Sequence, residues 1–138
     1  MIYIKRVVTA DITRQIGLNQ EVSDSFFRFN PDINGERFLR FTNKRSNSVY
    51  TGYIKKTGHS ITITGDIYAF IKENCKYGDI VVFSRTSSLN EFKFLTARKD
   101  SPLFNDCDKL LQRFGSRNGR ICSTTHLLTN DCKIETLF

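Results

Sequence analysis

Between residues 37 and 98 the chain is dominated by short alternating segments separated by turn signals, which read as short strands. Apolar and polar side chains alternate in RFLRFT (37–42), VYTGYIKK (49–56), HSITIT (59–64) and EFKFLTAR (91–98). The turn signals KRSNS (44–48), Thr57-Gly58 and TSSLN (86–90) separate them. Alternation with a period of two puts one set of side chains on a buried face and the other in water. IYIKRVV (2–8) is alternating and β-branched, DIVVFSR (79–85) reads as a buried strand, and IGLNQ (16–20) supplies a further short one. Asn34-Gly35 marks another turn. Helices are few. Ser23 is the expected N-cap of a short helix over 24–29, ended by Asn30-Pro31. DIYAFIKENC (66–75) places Ile67, Phe70, Ile71 and Asn74 on one face, and Lys76-Tyr77-Gly78 closes it. LFNDCDKLLQRF (103–114) has helical spacing at Leu103, Leu110, Leu111 and Phe114. The last eighteen residues show no clear pattern. The expected fold is mainly β: a seven-stranded open β-barrel with short flanking helices.

The chain has 138 residues with two prolines and eight glycines, so one domain without a low-complexity linker is expected. No apolar run approaches the ~18 residues of a membrane span, and MIYIKRVV has no signal-peptide core, so a cytoplasmic setting is expected. Net charge is +7. The surplus is concentrated in the first half, most densely over 37–65. That window holds Arg37, Arg40, Lys44, Arg45, Lys55, Lys56 and His59 and no carboxylate. A solvated face normally mixes both signs, so this one points to an anionic, phosphate-bearing partner.

Catalytic signatures are sparse. There are two histidines, His59 and His126, and no GxSxG, Walker, HExxH or GxGxxG motif. The best nuclease hint is Pro31-Asp32 with Glu91-Phe92-Lys93, in which two carboxylates would share a divalent cation and Lys93 would sit beside the attacking water. The separation is long for such a site, and Glu91 and Lys93 share a wet strand face in any case. Cys107, Cys122, His126 and Cys132 could in principle hold zinc, but without a tight CxxC knuckle they read better as free thiols, as does Cys75. No cofactor and no metal site is expected.

ITITGDIYAFIKENCKYGDIVVFSR (61–85) followed by EFKFLTARK resembles the carboxy-terminal half of the plant-type B3 DNA-binding domain. The shared parts are a strand, a helix with an apolar pair (Ile67, Phe70), a Gly78-Asp79 turn, a Val-rich strand ending in Phe-Ser-Arg, and a last strand. IYIKRVVTAD followed by RQIGL is similar to the start of the amino-terminal effector domain of EcoRII-like type II restriction endonucleases. The sequence departs from the plant pattern in lacking Trp, with Ile67 where plants usually carry one. The resemblance implies a B3-like pseudobarrel over 1–100; 101–138 is expected to be a C-terminal helix and extension packed on the barrel or leading to a linker. It also implies two arms that enter the major groove of one double-stranded DNA site. The first is 9–15 (TADITRQ) and the second 50–59 (YTGYIKKTGH).

Side-chain chemistry suits that role. Arg14 can pair bidentately with guanine, Gln15 with adenine, and Asp11 can accept from cytosine, although Asp in a polar turn also caps its own backbone. Thr9 and Thr13 can touch a thymine methyl or a phosphate, and Arg6 belongs to the same arm. In the second arm Lys55 and Lys56 can read guanine or bind phosphate, Tyr53 can stack or hydrogen-bond, and Thr57 and His59 flank them. Lys5, Lys44, Arg45 and Asn47 are expected on the DNA backbone. The implied function is sequence-specific duplex binding without catalysis, as the targeting domain of a bacterial restriction endonuclease with a short, CCWGG-like site and a nuclease domain elsewhere in the full-length chain. The alternatives are a small nuclease using Asp32, Glu91 and Lys93, and a general nucleic-acid barrel stacking bases on Tyr3, Tyr50 and Tyr53.

Overall fold

The computed structural model describes residues 1–30, 32, 35–116 and 124–138. Pro31, Asn34, Cys122 and most of the GSRNGR segment, which figure in the sequence reading, lie outside the described residues. The strands are β1 (Ile2–Arg6), β2 (Ile16–Leu18), β3 (Glu36–Asn43), β4 (Val49–Thr57), β5 (Ser60–Thr64), β6 (Ile80–Arg85), β7 (Glu91–Ala97) and β8 (His126–Thr129). The helices are α1 (Thr9–Thr13), α2 (Gln20–Ser25), α3 (Asp66–Asn74), α4 (Pro102–Phe114) and α5 (Cys132–Glu135). One curled sheet runs β2-β5-β4-β3-β7-β6-β1-β8. All its neighbours are antiparallel except β3 and β7. The chain passes directly from β1, near one edge, to β2 at the other. Residues 7–15 therefore bridge the open mouth of the half-barrel.

The barrel is filled by aromatic rings. Tyr3, Phe26, Phe27, Phe41, Phe83, Phe92 and Phe94 are buried together. Phe83 stacks on Tyr3 at 5.6 Å between centroids and meets Phe41 edge-on at 5.7 Å. Helix α3 plugs one end with Ile67 and Ile71, and Phe70 lies 4.6 Å from Tyr50. The plug needs Gly52 beneath it, because a Cβ there would come within 2.8 Å of the Ile67 Cγ2 methyl.

A second, smaller core lies outside the barrel. Phe104, Cys107 and Leu111 of α4, with Ile134, cover Ile2, Ile4, Ile80 and Val82. β1 is thus sandwiched, with Tyr3 and Val7 facing the barrel interior and Ile2 and Ile4 facing α4. Every β1 residue is buried as a result, including Lys5 and Arg6.

Four local expectations are corrected. Among the described residues the sheet has eight strands rather than seven, because β8, from the segment without visible pattern, pairs with β1 (Lys5 opposite His126). TADITRQ is not a plain turn but contains the single helical turn α1. α2 begins earlier than expected and is capped by Asn19, whose side chain accepts the Val22 N–H at 2.8 Å, while Ser23 is buried inside it. In α4 the fully buried face is Phe104, Cys107 and Leu111; Leu103 and Leu110 pack only partly, and Phe114 is 62% exposed.

β8 also carries a titration consequence. The ring Nδ1 of buried His126 is 2.6 Å from the Tyr3 hydroxyl. Burial, with a smaller contribution from nearby Lys5, lowers its pKa to about 3. In the unfolded chain the same group protonates near 6.5. The stability tied to the neutral ring is therefore complete above pH 6.5 and is lost as pH falls toward 3. Thermal melts between pH 6.5 and 5, where carboxylates contribute little, are expected to show Tm falling with pH, and the slope is expected to flatten in His126→Gln.

Candidate nucleic-acid interface

The first arm leaves β1 beside the turn before β6, where the Val7 N–H donates to the Asp79 carbonyl at 2.7 Å. It then makes the α1 turn, and the Arg14 and Gln15 N–H groups both donate to the Ala10 carbonyl. Thr9, Thr13 and Arg14 are exposed and Gln15 is half-buried; the Thr13 hydroxyl is already engaged with the Thr9 carbonyl at 2.8 Å.

Three residues assigned to DNA contact face inward instead. Asp11 is 1% exposed; its carboxylate accepts the Val8 N–H at 2.8 Å and the Gly17 N–H at 3.0 Å, and lies 3.2 Å from Lys5 Nζ. It cannot also accept from cytosine. Lys5, 3% exposed, is committed to that pair and out of reach of a phosphate. Burial lowers the Lys5 pKa, against the opposing pull of Asp11. Arg6 is paired with Asp108 and donates to the Gly78 carbonyl at 3.3 Å and the Thr124 carbonyl at 3.4 Å, which makes it an internal brace. Arg37 is likewise spent on the Phe27 and Arg28 carbonyls.

The 50–59 arm covers most of β4 and the turn into β5, where Gly58 has φ +62°; Tyr50 packs inward on Phe70 and Gly52 is buried, so the part that projects is 53–59. Alternation sends Ile54 into the core and sets Tyr53, Lys55 and Thr57 on the outer face. Lys56, Thr57 and His59 are exposed, Tyr53 is exposed beside Phe38 (5.2 Å between centroids), and Lys55 is half-buried.

The register ties the two arms together. Ile16, where the first arm enters β2, opposes Ile63, which opposes Ile54. The root of the first arm is therefore about 10 Å across the sheet and about 13 Å along it from the β4–β5 turn, or about 16 Å in all. Between them lies a floor made by the outer faces of three contiguous strands. Gly17, Thr62 and Lys55 form one row, and Thr64 and Tyr53 the next. No residue of β2, β4 or β5 is acidic. Gly17, Thr62 and Thr64 were missed in the sequence reading. The signal was present in a glycine interrupting an alternating strand and in the outward phase of the β5 threonines.

Lys44, Arg45 and Asn47 are not part of this arrangement. They occupy the β3–β4 turn at the opposite end of β4, about 25 Å from the β4–β5 turn. There Arg45 donates to the Thr96 carbonyl at 2.6 Å. The stacking candidates are reduced as well: Tyr3 is fully buried and Tyr50 packs on Phe70 and Phe94, which leaves Tyr53.

Among the described residues, no three metal-ligating side chains gather, so Asp32 and Glu91 do not converge with a third ligand, and Cys107, His126 and Cys132 do not meet. Cys75 and Cys107 are buried, and burial pushes both thiols up to about 12. Among the described residues, no helix is long and apolar enough to cross a membrane.

No protein-family model and no curated protein matches the sequence. Solved structures do. The chain is similar to the N-terminal domain of Helicobacter pylori LlaJI.R1, with a TM-score of 0.70 and 18% identity over 93% of this chain and 96% of that one. It is also similar to the protein in the Arabidopsis FUS3–DNA complex, with a TM-score of 0.56 and 11% identity over 69% of this chain and 94% of that one. The second is a plant B3 domain. The curled eight-stranded sheet, the plugging helix α3 and these two likenesses identify the fold of this chain as the B3-type pseudobarrel.

Proposed function

We propose that this chain binds double-stranded DNA sequence-specifically, gripping one major groove between the 9–15 arm and the 53–59 arm. The observation that carries the reading is the floor: three contiguous strands without a carboxylate, with Lys55 standing in it, exposed Arg14 beyond one end and the exposed 56–59 turn at the other. The separation of about 16 Å spans a groove about 12 Å wide. The fold shared with a protein solved on DNA supports the same reading. Arg14 and Gln15 read base edges from one side. Lys55, Lys56, Thr57 and His59 approach from the other, with Tyr53 at the margin. Lys44, Arg45 and Asn47 serve, if the duplex is long enough, as distal backbone contacts. The domain is non-catalytic and acts as the targeting part of a bacterial type II restriction endonuclease, with cleavage supplied by a nuclease domain of the full-length protein and a short, CCWGG-like site.

Selection of bound duplexes from a random pool tests this. One enriched motif of about four to six base pairs is the expected result. No enrichment, or capture of single strands in preference to duplex, contradicts it. With the selected duplex, Arg14→Ala is expected to lose about 1–3 kcal/mol and to blunt discrimination at one base pair. Lys56→Ala is expected to weaken all duplexes alike and to reduce the slope of log K against log salt by about one unit. Both are read by fluorescence anisotropy across a salt series.

A further inference from the structure

The first arm has a structural problem that the second does not. The 53–59 arm is a hairpin end, held by cross-strand hydrogen bonds up to the Thr57–Ser60 pair. Residues 7–15 cross the open mouth of the half-barrel between strands at opposite ends of the sheet order, and no ladder holds them. Val7 is bonded to the turn before β6 and Ile12 packs against the core, but one side chain ties the two roots of the arm to each other. The Asp11 carboxylate accepts the N–H of Val8, just before α1, and the N–H of Gly17, just after the arm enters β2. It thus ties together both roots of the arm, while Lys5 of β1, inside the barrel wall, holds the carboxylate from below at 3.2 Å. Both side chains are almost fully buried. A buried ion pair adds little net stability once desolvation is counted, and what this one does locally is satisfy the two backbone N–H groups at the roots of the arm.

We propose that the Lys5–Asp11 pair is a positioning lock for the first arm, setting where Arg14 and Gln15 meet base edges and thereby controlling discrimination between sequences rather than affinity for duplexes in general. The inference rests on the DNA-binding reading above. The physical ground is the different tolerance of the two kinds of contact. A bidentate base contact needs a fixed guanidinium, whereas a phosphate contact made by a flexible lysine accepts displacement. Loosening the roots of the arm should therefore degrade the first and spare the second.

The variant Asp11→Asn keeps the shape of the side chain but removes the charge and one acceptor. The ratio of affinities for the selected duplex and a shuffled duplex of equal length is expected to fall at least about tenfold, with binding to the shuffled duplex within about twofold of the parent. Amide hydrogen exchange is expected to accelerate over 8–17 and to stay unchanged in β6 and β7. A folded Asp11→Asn whose affinity ratio and 8–17 exchange match the parent overturns the proposal. So does acceleration spread evenly over the barrel, which marks the pair as merely structural. If Asp11→Asn does not fold, Lys5→Met is measured in the same way, and failure of both to fold also overturns it. If the parent itself prefers no duplex, the DNA-binding reading fails, and exchange confined to 8–17 then decides the lock on its own.

Discussion

A Gly17→Trp variant is expected to fold as stably as the parent and to bind duplex DNA at least about a hundredfold more weakly, a loss of about 2.7 kcal/mol. The two halves of this expectation have separate physical grounds. Gly17 lies on the outer face of β2, opposite Thr62, and nothing stands within 4 Å of a Cβ placed there. Its backbone is not in the left-handed region, so a larger residue is under no conformational strain. Tryptophan also suits a strand better than glycine does. The indole would nevertheless stand on the floor between the arms, where the edge of the duplex has to approach. Thermal unfolding and anisotropy with the selected duplex separate the two effects. Unchanged binding by a stable Gly17→Trp would place the DNA on some other surface.

The opposite pattern is expected of Phe83→Ala. Phe83 is buried at the centre of the ring cluster, stacked on Tyr3 and within 6.4 Å of Phe27, Phe41 and Phe94 between centroids. Removing it takes away the transfer energy of the ring and leaves a cavity that rigid aromatic neighbours cannot close, at a cost of about 3–5 kcal/mol. That is a large fraction of the roughly 5–15 kcal/mol that holds a domain of this size together. Urea unfolding is expected to show a much lower midpoint at nearly constant slope. Whatever fraction remains folded should still bind DNA, because Phe83 is buried and contributes nothing to the outer surface. A change of under about 1 kcal/mol would mean that the rings are not packed as a single core.

The contrast between these two sites also shows what could be read from the chain beforehand. Strands β3, β4, β5 and β7 were legible because each has one wet and one buried face, and alternation records that directly. Helix α3 was legible because Ile67 and Ile71 fall on one face and Gly78 follows. β1 misled. It alternates like a half-buried strand, but α4 and Ile134 cover its second face and enclose Arg6, while Lys5 points into the barrel with Tyr3, so neither is displayed. Their partners, Asp11 and Asp108, are a matter of tertiary arrangement that no local pattern encodes. Asn19 prevailed over Ser23 as the α2 cap because Val22 and Phe26 had to turn toward the core. The arms at 9–15 and 50–59 were expected from the family resemblance, and their polar residues suited that role; that Asp11 ties the roots of the first and that Gly17, Thr62 and Thr64 share an outer face with Lys55 became visible only once β2 was seen beside β5.

The central claim is that two arms and the floor between them form one continuous DNA-contacting surface. Titrating the isotopically labelled protein with its selected duplex, and following backbone amide resonances, tests it most directly. The expected result is that shifts gather in residues 9–17 and 53–62 and rise together along a single binding curve. Shifts that gather instead on the 44–48 turn and helix α4, with both arms unmoved, would contradict it.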